Sequence, residues 1–224
     1  PQGQKPILAD MDTRFSFVCQ KKDGAIVLRN LHHSVPNIDQ LPGEYYPRSI
    51  TQTANAAIQK NLVLEKQLQL DSLTALFHRT YTENYINQVL RQKQDGYAFF
   101  MLDLDDFKQI NDTYGHLQGD HCLKQFASFL QTLASEQCLV SRLGGDEFSL
   151  FSTAISTPQE AEQFAQTLMQ SLHEQNFSFP IQCSIGISLA PDGGNTFQEL
   201  YTNADKALYQ SKREGKNSWH IYHK

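Results

Sequence analysis

Arg142-Leu143-Gly144-Gly145-Asp146-Glu147-Phe148 lies between two apolar runs, Cys138-Leu139-Val140 before it and Phe148-Ser149-Leu150-Phe151 after it. Paired glycines accept the positive φ values of tight hairpin turns, so the stretch predicts two short strands joined by a turn. The turn carries two adjacent carboxylates, Asp146 and Glu147, at the tip of a hairpin whose strands are apolar enough to be buried. Alone, such a tip reads as a solvated acidic turn. A second acidic cluster argues against that.

The second cluster is Met101-Leu102-Asp103-Leu104-Asp105-Asp106-Phe107-Lys108. Tyr97 to Leu102 is a continuous apolar run, the pattern of a strand covered on both faces, and it ends on Asp103. A carboxylate at the end of a buried strand, with others at a neighbouring hairpin tip, outlines a divalent-metal site. Mg²⁺ takes hard oxygen ligands, usually one or two carboxylates plus substrate phosphates.

Gly144-Gly145-Asp146-Glu147-Phe148 is identical to the signature of the GGDEF family, the diguanylate cyclases. The resemblance begins at Asp71-Ser72-Leu73-Thr74 and passes through Asp103 to Asp112, Gly115-His116, Gly119-Asp120 and Ser184-Ile185-Gly186. It ends at Ala204-Asp205-Lys206-Ala207-Leu208-Tyr209, Lys212 and Gly215-Lys216-Asn217. Three positions depart from the usual pattern: Ala75 where glycine is common, His78 where asparagine is common, and Lys216 where arginine is common. The first two read as turn or packing positions. Lys216 keeps the charge but loses bidentate geometry.

Hydrophobic content of 40% in 224 residues is enough for a proper core. A net charge of −5 gives no general pull toward nucleic acid or anionic membrane, so any phosphate site must be built locally. No basic stripe with interleaved aromatics exists, which argues against a nucleic-acid partner. Cys19, Cys122, Cys138 and Cys183 show no C-x-x-C spacing and read as reduced packing residues. No run approaches the roughly 18 apolar residues of a membrane helix, and no signal peptide is expected. A cytoplasmic location is expected. The first residue is proline, which leaves room for an upstream sensor or membrane anchor.

Three segments are expected. Residues 1–50 read as the remnant of a sensor domain or an appendage. Phe15 to Cys19 and Ala25 to Leu28 form a hairpin around Lys21-Lys22-Asp23-Gly24, and His32-His33 form an exposed loop pair. Residues 51–70 read as a linker helix. Ala54, Ala57, Asn61, Leu64 and Leu68 mark either a two-stranded coiled-coil seam or the inner face of an amphipathic helix. Residues 71–224 form the catalytic domain. There, alternating strands and helices around a central hairpin predict an α/β fold with a mixed, mainly antiparallel sheet flanked by helices. The resemblance implies the palm-like architecture of nucleotidyl cyclases. Cys183 to Leu189 alternates apolar with small residues and reads as a half-buried strand whose small face lets another element approach closely; Asp120 reads as the start of a helix; capping boxes open helices at Thr157 and Thr196.

The resemblance implies roles for individual residues. Asp103, Asp146 and the Leu104 carbonyl would hold Mg²⁺ or Mn²⁺. Glu147 would hold a second metal or help deprotonate a hydroxyl. Backbone N–H groups around Asp106, Phe107 and Lys108 would hold the β- and γ-phosphates of GTP, a task that suits short backbone opening toward a helix. Lys212 and Lys216 would bind the triphosphate. Asn111 and Asp120 would read guanine; without the resemblance they are an N-cap or turn residue and a first-turn dipole partner. The implied reaction joins two GTP into cyclic di-GMP with release of two pyrophosphates, in a homodimer because one domain holds one GTP. A catalytically inactive, nucleotide-binding signalling module is the alternative. Ser135 and Cys138 replace the Arg-x-x-Asp that binds inhibitory product in many members, so no product inhibition is expected through that site.

Overall fold

The computed structural model describes residues 14–22, 25–34, 54–59, 69–92 and 96–224. The chain divides into two compact units, Pro1–Val63 and Leu64–Lys224.

In the first unit, β1 (Arg14–Lys22) pairs antiparallel with β2 (Ala25–Ser34). The expected hairpin is present and longer than its apolar runs. His32 and His33 pair with Ser16 and Phe15, so they lie in a strand and not in a loop. Phe17, Ile26, Leu28 and Leu31 are exposed, as is Cys19, which is therefore not a packing residue. Residues 54–59 are helical (α1) and include Ala54 and Ala57; Asn61 and the two seam leucines fall outside the described residues.

In the second unit, Gln69 lies in a turn and Leu70 bridges Phe77, so the linker helix stops short of its expected end. The chain then runs through β3 (Phe77–His78), α2 (Arg79–Leu90), β4 (Tyr97–Leu104), α3 (Phe107–Tyr114) and α4 (His116–Leu133). It continues through β5 (Cys138–Gly144), β6 (Glu147–Ser152), α5 (Pro158–Glu174), β7 (Cys183–Ala190), α6 (Phe197–Arg213) and β8 (Trp219–Ile221). The six strands lie in the order β3-β5-β6-β4-β7-β8. The three inner pairings are antiparallel and the two outer ones parallel, which is the mixed, mainly antiparallel sheet expected.

Strand alternation divides the core. On one face Phe100, Leu102, Phe148 and Ile185 pack with Phe126 of α4 and Leu168 of α5. On the other, Phe99, Met101 and Phe151 pack with Ile86 of α2 and Phe197 and Leu208 of α6. A fully buried side chain of this kind contributes about 1.5–3 kcal/mol. Asp103 continues the series of Phe99 and Met101, so period-2 alternation puts it on the α2–α6 face at the end of β4.

β7 corrects the expectation of half-burial: all eight residues are buried. Its small residues face α6, which crosses so closely that a Cβ on Gly186 would run into the Ala204 carbonyl oxygen and the Leu208 amide. Asp120 is a second correction. α4 begins at His116, with Gly115 at φ +84° as its N-cap, so Asp120 lies in the second turn and is no first-turn dipole partner.

The departures from the usual family pattern have local causes. His78 is the N-cap of α2 and its Nδ1 accepts from the Tyr81 amide at 3.2 Å, the task asparagine performs at such a position. Ala75 sits at φ +57° and its amide closes a turn on the Asp71 carbonyl at 2.8 Å. A left-handed alanine strains Cβ against the backbone, and glycine does not. Ala75→Gly is expected to stabilise the domain by about 1 kcal/mol, or about 2–4 °C in Tm. An unchanged or lower Tm in a thermal melt would contradict this.

Candidate active site

The β5–β6 hairpin and the end of β4 meet in one register. Asp103 pairs with Glu147 across the β4–β6 ladder, and the Leu104 amide donates to the Asp146 carbonyl at 3.3 Å. Gly144 and Gly145 take φ values of +151° and +54°, beside a register shift between Arg142 and Gly144. Arg142 fixes the tip: its Nε and Nη2 donate to the Gly145 carbonyl at 3.0 and 2.7 Å, and its Nη1 to Asp71 Oδ1 at 3.0 Å. Asp71 in turn accepts from the Thr74 amide and hydroxyl. These bonds hold the Asp71 carboxyl below its ordinary pKa against the opposing effect of burial. The hairpin is thus tied to the turn that precedes β3.

Around this tip the chain matches, over residues 68–218, the model described as the diguanylate cyclase GGDEF domain. The chain belongs to the GGDEF family. It is 36% identical over 163 residues to the cyclic di-GMP phosphodiesterase PdeB of Shewanella oneidensis, covering 71% of this chain and 19% of that protein. It is 32% identical to the diguanylate cyclase DgcS of the same organism, over 70% of this chain and 54% of that protein. The solved GGDEF domain of TpbB from Pseudomonas aeruginosa is 31% identical, with a TM-score of 0.64 over 69% of this chain and 94% of that one. The chain spans about a fifth of PdeB and about half of DgcS.

The GGDEF carboxylates strain one another. Asp103 is buried, and burial pushes its carboxyl above the ordinary pKa; Lys212 opposes this with Nζ 2.7 Å from Oδ1, while Asp146 and Asp105 add repulsion. Glu147 is raised by burial and by the negative charges of Asp103, Asp146 and Asp205, with Arg79 opposing. Among the described residues no three His, Cys, Asp or Glu side chains form a ready metal cage. Asp103 and Glu147 are cross-strand partners, and the charge of Asp146 reaches both. Few protein ligands and open positions for phosphate oxygens suit Mg²⁺ or Mn²⁺. Asp105 is committed elsewhere: it is buried and accepts from Ser184 Oγ at 2.8 Å and from the Asn217 amide at 2.9 Å.

Two residues beyond β4, α3 opens from Asp106, itself left-handed at φ +57°. The Gln109 and Ile110 amides bond to the Asp106 carbonyl, which leaves the Phe107 and Lys108 amides as the helix's open N-terminal donors. Lys216, at φ +63° just beyond α6, places Nζ 2.6 Å from Asp106 Oδ1. Both lysines expected at the triphosphate are therefore brought to this end of the sheet, each on a carboxylate. Asn111 of α3 lies against Gly119 of α4, where a Cβ would overlap its amide, and Asp120 follows in the next position of α4. Ser135 and Cys138 close a turn, with the Cys138 amide donating to the Ser135 carbonyl at 3.0 Å and Ser135 Oγ 3.5 Å from Cys138 Sγ.

The sequence reading assigned no role to Arg142 or Asp71. The available signal was an arginine at the edge of one family block and an aspartate in another, 71 positions apart.

Proposed function

We propose that this chain is a diguanylate cyclase that condenses two GTP into cyclic di-GMP and two pyrophosphates, with the GGDEF domain over residues 71–224. The observation that carries this is the intact register of Asp103 against Glu147 with Asp146 at the adjoining tip. A divalent cation bound there would neutralise phosphate charge and polarise the reacting phosphoryl group. Asp103, Asp146 and the Leu104 carbonyl would hold it. Glu147, its proton affinity raised by its neighbours, would accept the proton of the attacking 3′-hydroxyl or hold a second cation. The amides of Phe107 and Lys108 with Lys212 and Lys216 would hold the triphosphate, and Lys212 and Lys216 would exchange their carboxylate partners for it. Asn111 and Asp120 would read guanine.

The 3′-oxygen of one nucleotide forms a bond to the α-phosphorus of the other while the α–β bridging bond breaks, so two copies must face each other. Specific activity should rise with protein concentration in the micromolar range; a rate per protein that stays flat on dilution while the chain sediments as a monomer would contradict the dimer. The segment from 51 to Gln69 is proposed as the linker that brings copies together, residues 1–50 as an appendage or sensor remnant, and the cytoplasm as the location.

The guanine reading yields a separate test. Gly119→Ala is expected to displace the Asn111 amide and weaken a non-hydrolysable GTP analogue about tenfold in calorimetric titration, with little loss of stability. Unchanged affinity would remove Asn111 from base recognition.

The second reading, an inactive nucleotide-binding module, draws support from PdeB and NbdA. Both are named phosphodiesterases and match at 36% and 35% identity over about a fifth of their length. A chain that binds the GTP analogue and never forms a dinucleotide would favour it.

A further inference from the structure

Arg79 is the first residue of α2 and follows His78, which pairs with Arg142 near the tip of the hairpin. Its guanidinium carbon stands 4.6 Å from the centre of the Tyr201 ring on α6. Three cations near the site each hold a carboxylate: Arg142 has Asp71, Lys212 has Asp103, Lys216 has Asp106. Arg79 is exposed and, among the described residues, makes no ion pair within 4 Å. It does lie near Glu147, whose carboxyl it holds down against burial and repulsion.

A guanidinium held over a ring is restrained in position, and its fork of donors suits a planar or tetrahedral oxyanion. The oxyanion is not the triphosphate of the domain's own GTP in the proposed scheme. That group takes the α3 amides with Lys212 and Lys216, which lie on Asp103 and Asp106. The condensation nonetheless brings a second phosphate to Glu147, the α-phosphate of the nucleotide on the facing copy.

We infer that Arg79, braced on Tyr201, binds the α-phosphate of the nucleotide carried by a second copy of this chain, so that each active site is completed in trans. Two donors of the guanidinium go to non-bridging oxygens. As the 3′-oxygen bonds to the α-phosphorus and pyrophosphate departs with the bridging electron pair, these donors follow the oxygens into the trigonal-bipyramidal geometry, and no proton leaves Arg79. The inference rests on the cyclase reading.

The test compares wild type, Arg79→Ala and Arg79→Lys. The expected result for Arg79→Ala is an unchanged Tm, unchanged affinity of each copy for the α,β-methylene analogue of GTP, and turnover lower by about a hundredfold. Arg79→Lys, with the charge but not the fork, should recover part of the turnover. Mixtures with Arg79→Ala in excess should accumulate the linear triphosphate dinucleotide, because a mixed pair retains one arginine and completes one of the two bonds. Full turnover by Arg79→Ala overturns the inference. So does a loss of analogue affinity that accounts for the lost turnover, since Arg79 would then serve its own nucleotide. Wild type that yields no dinucleotide overturns the cyclase reading itself, and is told apart because it needs no variant to appear.

Discussion

Glu147→Gln should lower cyclic di-GMP formation by about a thousandfold while raising the melting temperature of the metal-free protein by a few degrees. The loss follows from removing the group placed to take the hydroxyl proton or hold a second cation; proton transfer alone contributes about 10²–10⁴-fold. The gain follows from the sign of the pKa shift. Burial and the charges of Asp103, Asp146 and Asp205 disfavour ionised Glu147, so its carboxyl is raised in the fold. A carboxyl with a folded pKa above its unfolded value favours the fold at low pH and loses that advantage as pH rises through the folded value. At neutral pH it is ionised, and the fold carries the repulsion. Glutamine keeps the shape without the charge. Calorimetry in EDTA at pH 7.5 reads the effect, and the difference from wild type should shrink toward pH 4 as Glu147 takes up its proton. A variant that melts lower than wild type at pH 7.5 would contradict the charge argument. The site is thus a place where function is kept at the expense of stability.

Gly186→Val should cost about 3 kcal/mol and abolish activity. The close approach at Gly186 involves backbone on both sides: the new Cβ would meet the Ala204 oxygen and the Leu208 amide, with the Leu208 Cβ at 2.8 Å. Backbone of a packed helix cannot step aside as a flexible side chain can, so α6 must lift from β7 or the strand must buckle. The consequence for chemistry is direct. α6 carries Lys212, which reaches Asp103 at 2.7 Å, and Tyr201, on which Arg79 rests. A drop in Tm of about 6–12 °C is expected. A valine variant with wild-type Tm and activity would mean that the α6–β7 contact does not set the position of the lysine.

The parts of the fold that were legible share a physical cause. β4 reads as a buried strand because its apolar run is unbroken, and it is buried at every residue. The hairpin tip reads as a turn because only glycine pairs take φ values such as +151° and +54° without strain. Thr157 and Glu160 read as a capping box and bond as one: the Glu160 amide donates to Thr157 Oγ1 at 3.3 Å, and Glu160 Oε2 accepts from the Thr157 amide at 3.1 Å. At Thr196 the Glu199 amide donates to the threonine as expected, but Glu199 Oε2 accepts from Asn195 instead.

What was not legible is equally specific. The small face of β7 reads as room for another element, but nothing in the strand says that α6 takes that place and completes its burial. The start of α4 carries no side-chain cap, since Gly115 is its N-cap, so the helix announces itself only at its apolar face further on. The partners of Lys212, Lys216 and Arg142 lie 71 to 110 positions away, beyond any local spacing rule. Likewise, β2 runs on to Ser34 because β1 offers a ladder, not because His32 and His33 favour a strand.

The most direct measurement is the mass of what the protein makes from GTP and Mg²⁺, separated by chromatography, beside Asp146→Ala as the control. The cyclase account predicts cyclic di-GMP and pyrophosphate in a 1:2 ratio from wild type and neither from the variant. Wild type that binds nucleotide and leaves GTP intact at high protein concentration would contradict it.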